Sequence, residues 1–156
     1  MRNSMLFLLI LVLSATVFAA DFSGTWILNR EKSELGEGRG GRMAAAQMVV
    51  VQAENTLKIE RTVTGRDGEE RVMTEEMTLD GKETKTSGER GETINTAKME
   101  TDVLTINTVR KFERNGETFE MTSEQKWTME GDMLVVNSKT ESSRGTRELK
   151  LVYDKK

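Results

Sequence analysis

The chain has 156 residues, with 23 Lys and Arg against 26 Asp and Glu for a formal net charge of −3, and it contains no histidine, no cysteine and no proline. That inventory excludes disulfides, thiol nucleophiles, histidine-dependent triads and the usual zinc ligand sets, and it supplies no basic surplus for general nucleic-acid binding. The lack of proline leaves strand ladders without their strongest breaker.

The first element is a leader. Arg2, an apolar run from Met5 to Phe18 and small residues at Val17, Ala19 and Ala20 have the three-part form of a secretory signal peptide, with cleavage expected after Ala19. The run falls short of the ~20 residues that span a bilayer, so no stable membrane anchor is expected after cleavage, and without cysteine there is no lipid attachment point. Cleavage removes Arg2 and no acidic residue, which takes the net charge from −3 to −4. The predicted organisation is a signal peptide over 1–19 and one domain over 20–156, secreted or periplasmic.

Beyond the leader, no helical periodicity is sustained. Alternating apolar and polar residues recur about every ten positions with turn residues between them. Strands are predicted at 22–29, 47–53, 56–64, 70–79, 92–100, 103–112, 117–129, 133–142 and 146–153. Reversals are expected at Ala53-Glu54-Asn55, Gly65 to Gly68, Asp80-Gly81, Thr101-Asp102, Asn115-Gly116, Gly131-Asp132 and Arg144-Gly145. Asn-Gly and Asp-Gly suit tight hairpins because both central positions need positive φ. Segment 31–46 interrupts the rhythm: Glu34-Leu35-Gly36-Glu37-Gly38-Arg39-Gly40-Gly41-Arg42 is too glycine-rich to hold one conformation, and Met43 to Gln47 has room for one helical turn. It is predicted as a flexible loop. The simplest role is a solvated connection, with a flap over a barrel mouth or an arginine patch for an anion as the functional alternatives.

Segment 118–129 shows which face is buried. Its odd positions are Phe119, Met121, Ser123, Gln125, Trp127 and Met129, whereas Thr118, Glu120, Thr122, Glu124, Lys126 and Thr128 are all polar. Side chains alternate across a strand, so the odd face looks inward. The expected fold is all-β, an antiparallel up-and-down meander of eight to ten strands closed into a barrel, because closure buries one face and removes exposed edges.

The segment Asp21-Phe22-Ser23-Gly24-Thr25-Trp26-Ile27-Leu28-Asn29 resembles the first strand of lipocalin-like proteins, which open with a G-x-W motif matched here by Gly24 and Trp26. With Asn29, Lys32 and Ser33 it looks like a group of small exported bacterial calycin-type barrels. The resemblance implies that Gly24 and Trp26 close one end of the barrel and that a late-strand arginine, Arg147 or Arg144, packs across the tryptophan. A second family motif, T-D-Y, is partly matched by Thr101-Asp102, with Val103 in place of tyrosine. These residues are structural in that family and carry no ligand identity.

Alternation places Leu57, Ile59, Arg61 and Val63 on one inner face, then Met73, Glu75, Met77 and Leu79, then Leu104, Ile106, Thr108, Arg110 and Phe112, then Arg147, Leu149, Leu151 and Tyr153. Charges inside a barrel must pair, hold water or meet a ligand. The candidate site is therefore Arg61, Glu75, Arg110, Gln125 and Arg147, with Met73, Met77, Phe119, Met121 and Trp127 as the apolar bed. An amphipathic anion such as a fatty acid fits this set, with its tail among Met73, Met77, Met121 and Phe119 and its carboxylate on arginine. The alternative is that these arginines lie near strand ends or on bulges, with their heads in water. Glu69-Glu70 and Glu75-Glu76 are neighbours that point to opposite faces, so they make no shared acid–base pair, and no segment has calcium-loop spacing. The expected function is a small-ligand-binding barrel for a hydrophobic or amphipathic molecule, with no catalysis, cofactor or metal. The other reading is a filled-core module that meets a protein or envelope polymer.

Overall fold

The computed structural model describes residues 19–36, 41, 44–65, 67–88 and 91–156. The predicted leader up to Phe18, together with residues 37–40, Arg42 and Met43 of the glycine-rich segment, lies outside the described residues. Ten antiparallel strands form one sheet: β1 (Gly24–Leu28), β2 (Gln47–Ala53), β3 (Thr56–Thr64), β4 (Glu70–Thr78), β5 (Asp80–Gly88), β6 (Gly91–Glu100), β7 (Val103–Arg114), β8 (Glu117–Glu130), β9 (Met133–Ser142) and β10 (Gly145–Lys155). Their spatial order is β4-β3-β2-β1-β10-β9-β8-β7-β6-β5, so the sheet wraps into a nearly closed up-and-down barrel in which β1 joins β2 to β10. A seam remains between β4 and β5. At its lower end the chain reverses at Leu79, whose N–H donates to Asn55 O at 3.0 Å and whose carbonyl accepts from Met99 N–H at 3.4 Å. Above that point β4 and β5 share no ladder among the described residues.

Hairpin chemistry sets the register. Asn115 and Gly116 take φ of 55° and 77°, the double positive φ that a two-residue reversal between right-twisted strands requires. The sequence did not signal β5, because Asp80-Gly81-Lys82-Glu83-Thr84-Lys85-Thr86-Ser87-Gly88 has no apolar residue. Pairing with β6 makes it a strand despite its pattern. The predicted Asp80-Gly81 reversal accordingly falls one residue earlier, and those residues open β5 ahead of a register shift between Asp80 and Glu83. Of the segment in which a helical turn was expected, Met43 lies outside the described residues, 44–46 are not helical, and Gln47 starts β2. The described parts of 31–46 pack on the barrel: Glu34 and Lys150 exchange backbone hydrogen bonds of 2.7 and 3.1 Å, and Ala44 and Ala45 are buried.

The core sits at one end. Trp26, Trp127, Tyr153, Met48, Leu57, Ile59, Leu104 and Leu134 are fully buried near the β2–β3, β6–β7 and β8–β9 turns and form a solid floor. Residues 22 and 23 were expected to begin the first strand, with 20 and 21 ahead of it. Instead they cross this floor, with Phe22 set edge-on to Trp127 at 6.1 Å and 87°. Trp26 Nε1 donates to Phe22 O at 2.9 Å, Phe22 N–H donates to Gln52 Oε1 at 3.1 Å, and Gln52 Nε2 donates to Ala20 O at 3.1 Å. The plug thus leaves none of these polar groups unpaired.

The cation over Trp26 is Lys155, not Arg147 or Arg144. Its Nζ lies 5.5 Å from the ring centroid because β1 and β10 pair Trp26 with Lys155. Arg147 stands eight residues back along β10, roughly 26 Å away at the strand rise of about 3.3 Å per residue. Gly24 has φ of 145°, and a Cβ there would meet Lys155 Cε at 3.1 Å, so the glycine lets the lysine lie over the indole.

Phe22→Ala empties the plug and is expected to lower the unfolding free energy by about 3 kcal/mol, read from urea denaturation followed by tryptophan fluorescence. A loss below about 1 kcal/mol would show that the floor does not depend on it.

Candidate functional site

Cross-strand pairs put every inner-face residue named from the sequence on one surface. The register pairs Arg61 with Met73, Ile59 with Glu75, Leu57 with Met77, Arg110 with Met121, Phe112 with Phe119, Ile106 with Gln125, Leu104 with Trp127 and Thr140 with Arg147. These residues do not form one site. They divide by height along the barrel.

Lowest is a polar cluster resting on the floor. Arg61 Nε donates to Glu75 Oε2 at 3.1 Å and its Nη2 to Gln125 Oε1 at 3.3 Å, while Nη1 lies 3.2 Å from Met48 Sδ. The guanidinium carbon sits 5.6 Å from the Trp127 ring centroid, and Trp127 Nε1 donates to Gln125 Oε1 at 3.1 Å. Arg61 and Glu75 side chains retain 15% and 26% exposure inside the barrel, so solvent reaches this depth. Of the three outcomes open to a charge inside the barrel, Arg61 takes the first, because Glu75 pairs with it.

The methionines expected to form one apolar bed are divided by height. Met77 is 2% exposed and belongs to the floor, whereas Met73 is 44% exposed on β4 beside the seam. Neither joins Phe119 and Met121. Arg110 is exposed next to Met121 and stands outside the cavity lining.

At the open end, Phe112, Phe119, Met121, Thr140, Ser142 and Arg147 line a cavity of about 430 Å³, with Arg114 and Arg144 from the adjacent hairpins at its rim. Phe112 and Phe119 stack at 5.7 Å and 20°, presenting one aromatic wall. Of the residues named from the sequence, Phe119, Met121 and Arg147 meet here. Phe112 was placed on the inner face without being assigned to the site, Arg144 was named only for the tryptophan, and Arg114, Thr140 and Ser142 were missed, although the Asn115-Gly116 and Arg144-Gly145 reversals mark this end of four adjacent strands. Counting back along each strand from those turns brings the five residues together.

Among the described residues no three His, Cys, Asp or Glu side chains gather to hold a metal, and every buried side-chain nitrogen or oxygen has a partner. No described helix is long and apolar enough to cross a membrane. Burial pushes the Tyr153 phenol up to about 12, with the Arg61 charge pulling partly against it.

No known family matches the chain, and no curated protein does. Among solved structures, the zebrafish ileal bile acid-binding protein complexed with cholic acid is similar, with a TM-score of 0.58 and 18% identity over 86% of this chain and 98% of that one. The fold is thus that of the calycin-type antiparallel barrels.

Tyr153 is the single tyrosine, so its titration can be read directly. Phenolate absorbance is expected to rise near pH 12 in the folded protein and near pH 10 in urea. Because the folded value is the higher, its contribution to stability is whole below pH 10 and is lost as pH climbs toward 12. Titration near pH 10 in the native state would place the phenol in water.

Proposed function

We propose that this chain binds a small amphipathic anion in the open-end cavity. The observation that carries the reading is the lining itself, which sets the Phe112–Phe119 stack and Met121 against Arg147 in about 430 Å³. That volume lies within the range of small-molecule sites, roughly 300–1,000 Å³. The aromatic wall and thioether suit an apolar body, and a guanidinium suits a carboxylate or other planar anion. The bile acid complex of the structurally similar barrel supports the same ligand class for this fold. The solid floor fits the alternative of a filled-core module, but the upper half is not filled. We also infer export, on the strength of Arg2, the apolar run Met5 to Phe18 and the small residues before Ala20.

Dodecanoate added to the purified protein is expected to appear as a one-to-one complex in native mass spectrometry and to raise the melting temperature. Arg147→Ala should weaken it roughly tenfold, as for loss of one charge-assisted hydrogen bond, while Arg110→Ala should leave it unchanged. No complex and an unmoved melting curve, across dodecanoate and a panel of amphipathic anions, would sink the proposal. For export, the mass of the protein recovered from outside the cytoplasm should correspond to a chain starting at Ala20, and recovery of only the full-length mass would count against cleavage.

A further inference from the structure

The register reveals a feature that alternation alone hides. Thr84 pairs with Asn95, Asn95 with Thr108, Thr108 with Ser123, Ser123 with Thr140, and Thr140 with Arg147. These six residues form one continuous row around the inner wall, from β5 to β10, and all are polar. Two rows nearer the floor, Leu104, Trp127, Val136 and Leu151 form an equally continuous apolar row. The barrel interior is therefore banded, and the polar band lies between the floor and the aromatic rim.

Most of the band is unspent. Thr108 Oγ1 donates to Asn95 Oδ1 at 2.7 Å, and Asn95 is 5% exposed. Among the described residues no buried side-chain nitrogen or oxygen lacks a partner, so band atoms not bonded to protein keep some exposure to solvent. Thr140 and Arg147 line the open-end cavity as well, which makes the band continuous with it. Threonine, serine and asparagine both donate and accept, and their short side chains leave room between them. A hydrocarbon chain laid over this row would strip water from groups it cannot bond, and each one stranded weakens binding. A hydroxyl-rich group would replace that water bond for bond.

We propose that the row Thr84–Asn95–Thr108–Ser123–Thr140–Arg147 is the subsite for a polyhydroxylated headgroup, so that the ligand is a glycosylated or polyol-bearing amphipath held head-inward with its apolar part against Phe112 and Phe119. This rests on the cavity reading above and narrows its ligand class. The anion, where the headgroup carries one, lies at the Arg147 end of the row.

The test uses octyl glucoside, octanoate and octyl glucuronide, matched in alkyl length and kept below micelle formation, with binding to the full mature chain measured by calorimetry. The glucuronide is expected to bind tightest and the glucoside at least as tightly as octanoate. The near-isosteric Thr108→Val, Thr140→Val pair should weaken both glycosides about tenfold or more while changing octanoate less than about threefold, in proportion to the hydrogen bonds removed. Near-ultraviolet circular dichroism of Trp26 and Trp127 checks that the variant is folded, and the wild-type ranking stands whatever the variant does. Octanoate binding tighter than both glycosides would overturn the headgroup subsite and leave the cavity reading intact. Equal weakening of all three ligands in a folded variant would also overturn it, and no binding by any of the three would remove both.

Discussion

The interior of this barrel depends on a five-residue strand. Among the described residues β1 alone bridges β2 and β10, and its pairing of Trp26 with Met48 on one side and Lys155 on the other sets which alternate residues face inward on both flanks. A slip of one residue at this seam would turn Trp26 outward and bring Ile27 in, with the same inversion passed to the next strand. Three local features hold it. Gly24 makes space for Lys155 over the indole, Trp26 Nε1 is bonded to Phe22 O, and Phe22 is wedged against Trp127 from the far side of the barrel. The Gly24-Thr25-Trp26 motif is therefore about register and closure.

From that register follows an axial gradient in polarity. The floor is tryptophan, tyrosine, leucine and methionine. Above it sits Arg61 with its charge met by Glu75, then a row of short polar side chains, then two stacked phenylalanines at the rim. Such an order is costly to build without a purpose for the middle layers, because polar groups inside a sheet forgo apolar burial worth roughly 25 cal/mol per Å². The outer face carries charge pairs along single strands, such as Lys58 with Glu60 at 3.0 Å and Lys139 with Glu141 at 2.8 Å. At their exposure these pairs contribute little stability, and their effect is to keep the wall wet.

Much of this was legible from alternation. Strands 47–53 and 56–64 fall on β2 and β3 to the residue, and the inward assignment of Arg61, Glu75, Gln125 and Arg147 agrees with the register. Alternation gives the face and not the height. It placed Arg61, Arg110 and Arg147 on one surface but could not tell that Glu75 would claim the first while the other two rise to the open end. β5 was illegible because Asp80–Gly88 has no apolar residue to alternate, and Lys155 was overlooked because family resemblance pointed to an arginine. Each miss concerns a residue whose role is set by a partner distant in the chain.

The polar character of β5 has a kinetic consequence. The ladder to β6 runs along one of its edges, the other faces the seam, and it adds no buried apolar side chain to the core. Each of the other nine strands places at least one buried apolar side chain in the core and this one places none, so local unfolding there costs less than opening elsewhere. The cheapest breach in the wall thus lies beside Thr84, at the start of the polar band. Traffic between interior and solvent need not pass the aromatic rim at all.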